Sequence, residues 1–178
     1  MTRAGIGRLS MALVTSVGLS GLAASAQSQG NRYSAALEPG QEVPALSTPA
    51  TGQIVLDIDE AAGEIHYELS YSNLPDVRQA HIHFGQTGVS GGIMLWLCKT
   101  ATNPGPAGNT LPLCTSDSAT ISGTLVSTDV LAVQRLSAGD FGNAVKQIRL
   151  GLAYANVHTG DSPGGEIRGQ LKAGGARK

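Results

Sequence analysis

Alternation of apolar and polar residues is the clearest pattern along this chain. Ile54, Leu56 and Ile58 face one way while Gln53, Val55, Asp57 and Asp59 face the other, up to a stop at Ala62-Gly63. Ile65, Tyr67 and Leu69 then alternate with Glu64, His66, Glu68 and Ser70, so residues 53–59 and 64–71 predict an antiparallel hairpin with a turn of about four residues. The same period places further strands at 33–37, 79–84, 93–97, 119–126, 153–158 and 166–171, separated by connections rich in glycine and proline. Residues 38–49, with Pro39, Pro44 and Pro49, read as one long irregular connection. Two short helical pieces interrupt the strands. Thr128 can cap residues 129–134, and Ser137 with Asp140 has the spacing of a capping box ahead of Phe141, Val145 and Ile148, which predicts a helix over 139–149 lying on an open end or face of the sheets. The fold class is therefore all-β, an antiparallel β-sandwich or barrel with one or two short helices. With 24 glycines and few aromatics, its core must be mainly aliphatic.

The first 26 residues do not fit that pattern. Arg3 and Arg8 precede a run without charge, which ends in Ala24-Ser25-Ala26, the layout of a secretory signal peptide cleaved after Ala26. The other reading is a membrane anchor. It is opposed by Thr15, Ser16, Gly18, Ser20 and Gly21, which leave an apolar run shorter than the ~20 residues a span needs. Removing this segment leaves a flexible leader at 27–32, one domain over 33–171 and a flexible tail at 172–178, with no transmembrane span and a secreted or periplasmic destination. The remaining ten basic and thirteen acidic residues give a formal charge of −3 and no basic stripe, which argues against nucleic acid as a partner. Cys98 and Cys114 both lie in the exported part, where an isolated pair predicts a disulfide across a loop holding Pro104, Pro106 and Pro112. A metal-thiolate pair is the alternative, although the spacing has nothing of a CxxC knuckle.

Four segments carry more specific information: Leu37-Glu38-Pro39-Gly40-Gln41-Glu42-Val43-Pro44, Ala80-His81-Ile82-His83-Phe84-Gly85, Ala155-Asn156-Val157-His158-Thr159 and Pro163-Gly164-Gly165-Glu166-Ile167-Arg168-Gly169-Gln170. In this order and spacing they resemble the CHRD domain, the module repeated in chordin, over about residues 33–171. The resemblance implies an exported β-rich module without a settled activity. A single copy, without Cys-rich von Willebrand-type modules, gives no ground for carrying over growth-factor antagonism.

His81 and His83, at i and i+2 on one strand, share a face about 6.5–7 Å apart along the backbone. Tyr154, Asn156 and His158 share a face of another strand. If those strands meet, His81, His83 and His158 converge as a three-imidazole set suited to copper or zinc. The H-x-H pair on a sandwich strand is similar to that of copper/zinc superoxide dismutase, so the sandwich is expected to be immunoglobulin-like or superoxide-dismutase-like. Without a second loop of His and Asp ligands, dismutase activity does not follow. The structural reading stands beside the metal one: the histidines are polar residues of a solvent face, or hydrogen-bond to Asn156 and Glu166 to fix the sheet. His66, on another strand, reads as solvated. Glu166 and Arg168 share a face and read as members of ion pairs, with the glycines around them serving a tight turn. The glycine run 85–92 leads into a strand, so it offers no helix N-terminus to a phosphate. No nucleophile, paired acid and base, or Ser-His-Asp set accompanies these residues. The sequence thus points to a non-enzymatic binding or scaffold module for a protein or surface ligand, with a His cluster for copper or zinc. The alternative is a metal-dependent redox or hydrolytic enzyme with the same three ligands.

Overall fold

The structure, a computed structural model, describes residues 1–2, 31–115 and 117–174. The expected signal segment lies, past Thr2, outside the described residues, as do residues 27–30 of the leader and 175–178 of the tail. Nine strands occur among the described residues: β1 (Arg32–Leu37), β2 (Thr51–Asp59), β3 (Glu64–Leu74), β4 (Val77–Phe84), β5 (Gly92–Cys98), β6 (Asp117–Leu125), β7 (Ala153–Thr159), β8 (Ile167–Gln170) and β9 (Lys172–Ala173). They form two antiparallel sheets, ordered β6-β3-β2-β1-β9 and β5-β4-β7-β8, so the architecture is the sandwich and not a closed barrel.

The alternation sets which side chains enter the space between the sheets. β2 contributes Ile54, Leu56 and Ile58, β3 contributes Ile65, Tyr67 and Leu69, and β4 and β7 answer with Ala80, Ile82, Ala155 and Val157, all buried in one core. Asp59 pairs with Glu64 across the expected hairpin turn, and Gly63 takes the left-handed conformation there (φ 72°). Helix α1 (Phe141–Arg149) begins two residues later than the sequence suggests, because Asp140 is the cap and its carboxylate accepts from the Asn143 N–H at 3.1 Å. Its Ala144, Val145 and Ile148 join the core.

Three expectations need correction. Residues 129–134 are not helical. Only a 3₁₀ turn at Ser127–Asp129 forms, with the Val126 N–H donating to the Asp129 carboxylate at 2.8 Å; the Leu131 N–H then donates to Met94 O on β5 at 3.0 Å, a partner outside any helix. At the N-terminal side, Arg32 is already part of β1 and its guanidinium holds the Asp57 carboxylate at 2.9 Å. At the C-terminal side, Lys172 and Ala173, expected in a solvated tail, pair with Ser34 and Tyr33 as β9. Cys98, which ends β5, is bridged to Cys114 with Cα atoms 5.2 Å apart, so both thiols are consumed and the metal-thiolate alternative falls. Among the described residues no helix is long and apolar enough to cross a membrane.

Candidate metal centre

Because Ala80 and Ile82 enter the core, His81 and His83 emerge on the outward face of the four-stranded sheet. Pairing with β7 sets Asn156 opposite His81, Tyr154 opposite His83 and His158 opposite Gln79. Trp96 of β5 flanks His81 on one side, and Arg168 of β8 lies beside Asn156 on the other. The β4–β5 register shifts between Ala80 and His81 and again between Ile82 and His83, irregularities of the kind that re-aim side chains near functional sites.

Although it faces away from the core, this surface is covered. His81 is 0 %, His83 7 %, His158 6 % and Asn156 2 % exposed, so the expectation of a solvent face is overturned. The cover comes from the connecting segments, and each is tied down by the residues beneath it. His83 Nδ1 donates to Gly91 O at 2.9 Å and His158 Nδ1 donates to Pro163 O at 2.9 Å. Arg168 donates to Val89 O at 2.8 Å and Gln86 O at 3.3 Å, while its guanidinium lies 3.4 Å from the centroid of the Tyr154 ring. Tyr154 in turn stacks on His83 with the rings 5° from parallel.

Carbonyls only accept, so the Gly91 and Pro163 bonds fix the protons of His83 and His158 on Nδ1 and leave both Nε2 atoms bare. His81 Nδ1 donates to His158 Nε2 at 3.1 Å. His81 Nε2 and His83 Nε2 are then buried acceptors without any partner, which is costly unless something electropositive is supplied. One nitrogen of each ring falls within 4.8 Å of the others. A tetrahedral ion with bonds of 2.0–2.1 Å needs ligand separations of about 3.3 Å. Nitrogens no more than 4.8 Å apart reach that spacing by closing at most about 1.5 Å, a side-chain adjustment.

The environment keeps the rings neutral. Burial pushes His81 down from 6.5 to about 2, with His158 and His83 adding to the effect. Burial likewise lowers His83 to about 4 against the pull of Gly91 O, and it lowers His158 against that of Pro163 O. Neutral imidazole is the metal-binding form, and an Nδ1–H held by a backbone carbonyl is the usual means of orienting such a ligand. His158 also lines a solvent-open cleft with Arg78, Gln79, Thr102, Asn103 and Gly160.

The remaining sequence candidates separate cleanly. His66 lies on the other sheet, half-exposed, 3.0 Å from Thr124 Oγ1 and 3.3 Å from Glu64. Glu166 does not bond a histidine or join an ion pair; its carboxylate accepts from Thr159 Oγ1 at 2.6 Å. Arg168, expected in an ion pair, spends its donors on carbonyls. Asn156 does meet a histidine, with Oδ1 3.0 Å from His158 Nε2. Sequence reasoning gave no role to Glu42, which is 8 % exposed with Oε1 unpartnered. Burial raises its pKa while the nearby Arg168 guanidinium draws it down. The only available signal was its place in the segment 37–44, whose prolines suggested nothing but an irregular connection.

The chain matches no curated protein and no solved structure. A family model does match it, the CHRD domain over residues 33–171. That span begins in β1, ends just before β9 and includes every residue of the covered face described above, so the chain belongs to the CHRD-domain family.

Proposed function

We propose that this protein is an exported, non-enzymatic binding module in which His81, His83 and His158 hold a copper or zinc ion. The observation that carries this reading is the ring geometry: three buried, neutral imidazoles meet on one face, two of them locked through Nδ1–H to backbone carbonyls with Nε2 bare. Family membership supports a module rather than a catalyst. Export is supported by the Cys98–Cys114 bridge, which fits an oxidising compartment, and by the signal-like layout of residues 1–26.

The test begins with untagged protein and elemental mass spectrometry, followed by titration of the metal-free chain with Zn(II) and Cu(II). His83→Ala is expected to weaken binding by about 100-fold or more. His66→Ala, on the opposite sheet, is expected to leave it unchanged. Equal, negligible binding by the wild type and both variants removes the metal reading. The enzyme alternative has one observation in its favour, the open cleft that reaches His158. Redox and hydrolytic assays on the metal-loaded protein address it.

A further inference from the structure

One contact at the triad has no explanation in terms of hydrogen bonds. His158 Nδ1 carries the hydrogen given to Pro163 O, so Nε2 has no hydrogen of its own; it already accepts from His81 Nδ1, and Asn156 Oδ1 approaches it at 3.0 Å with no hydrogen between them. Two acceptors at this distance repel. Turning the amide over would bring a donor to His158, yet it would aim Oδ1 at the carboxyl of Glu42. The Nδ2 end of Asn156 lies on the Glu42 side: a Cβ on Gly165 would strike both Glu42 Oε1 and Asn156 Nδ2. Gly165, at φ 123°, is the residue that leaves room for this approach.

We propose that Asn156 Oδ1 is a fourth ligand to the ion held by His81, His83 and His158, and that Glu42 is the positioning residue that keeps this oxygen turned toward it. This rests on the metal reading above. A cation between Oδ1 and Nε2 converts the acceptor–acceptor contact into two bonds once His81 presents its hydrogen-free nitrogen in place of its N–H, and the 3.0 Å between Oδ1 and His158 Nε2 is close to the ~3.3 Å edge of a tetrahedral shell. Three imidazole nitrogens and one amide oxygen suit Zn(II) or Cu(II) better than Cu(I), which prefers softer donors. Four protein ligands also close the shell. A closed shell holds an ion rather than leaving a position open for substrate.

The experiment titrates metal-free wild type, Glu42→Gln and Asn156→Ala with Zn(II), Cu(II) and, under anaerobic conditions, Cu(I), and records the Cu(II) electron paramagnetic resonance spectrum of each. Glu42→Gln keeps the side-chain shape and offers its own amide to Asn156, which frees the asparagine to turn over; it removes no ligand. Both variants are expected to lose about 10–100-fold in Zn(II) and Cu(II) affinity, with a changed Cu(II) spectrum and little change for Cu(I). A urea midpoint close to wild type for Glu42→Gln separates this from misfolding. Wild-type affinities and spectra in both variants overturn the fourth-ligand assignment while leaving the triad standing. Absence of metal binding by the wild type overturns the triad, and this inference with it.

Discussion

The outward face of the β2–β3 hairpin and the outward face of the β4–β7 pair are built from the same alternation of polar with apolar residues. On the first, Asp57, His66 and Glu68 stand in water, and the contacts they make, such as Arg32 with Asp57, are between exposed or half-buried groups. On the second, His81, His83, Asn156 and His158 are as buried as the core, and every ring has a fixed neighbour. The difference is made elsewhere in the chain. Segments 38–44, 85–91 and 160–165 fold over the second face and supply carbonyls or a carboxyl to it, and nothing comparable covers the first among the described residues. Alternation therefore determines which face a side chain takes. The connections determine whether that face is wet, and so whether its polar groups need specific partners.

Two arginines give this comparison its strongest test. Arg168→Ala removes the guanidinium that spans Tyr154 and the Gln86 and Val89 carbonyls, and it leaves the Glu42 carboxyl without its nearby cation. Breaking a buried charged network of this kind is expected to cost about 3–5 kcal/mol. Arg32→Ala breaks a pair whose Asp57 side chain is 49 % exposed, and about 0–1 kcal/mol is expected. Urea unfolding of both variants supplies the measurement. Similar losses in the two would show that the covered face is no more demanding than the open one.

The disulfide comes next. It closes a loop with a sequence separation of 16, for which chain entropy predicts about 3 kcal/mol. Trp96 packs 4.3 Å from His81, and the loop approaches its ring at Gly105. As Trp96 is the single tryptophan of the chain, its fluorescence reports on the covered face alone. The double variant Cys98→Ala/Cys114→Ala is expected to unfold at lower urea and to show greater acrylamide quenching of the folded protein. Unchanged quenching would mean that the bridged loop does not contribute to the cover.

What could be read from the sequence follows the same division. The strands were legible to within a few residues because each has one face in the core: Ile54, Leu56 and Ile58 are all buried, and their alternation identifies them. The convergence of His81, His83 and His158 was legible as a condition, because i and i+2 spacing fixes the face but not which strands are neighbours. Burial of the site was not legible, since it depends on long-range contacts such as His83 with Gly91 O and Arg168 with Val89 O. Glu42 was missed for the same reason; its significance comes from Asn156, more than a hundred residues away. Residues 129–134 were misread because local capping signals cannot report that Met94 O, on a sheet edge, is waiting for the Leu131 N–H.

The smallest expected effect, measured per unit of pH, comes from the histidines of the covered face. In metal-free protein His81 and His83 titrate near 2 and 4 when folded, against 6.5 for an ordinary histidine. Between about pH 6.5 and 4 the unfolded chain therefore binds protons at both positions while the folded chain does not. Stability must fall as pH falls through this window, by about 1.4 kcal/mol per pH unit for each such histidine. Below about pH 4, His83 protonates in the folded state too and its contribution to the slope ends. Carboxylates of the native state destabilise in the same direction at low pH, so the comparison must be made between variants. His83→Gln, compared with wild type by urea unfolding from pH 7 to 4.5, is expected to reduce the slope by about 1.4 kcal/mol per unit. An unchanged slope in His83→Gln would mean that His83 gains a proton readily in the folded state, which a dry, covered face does not allow.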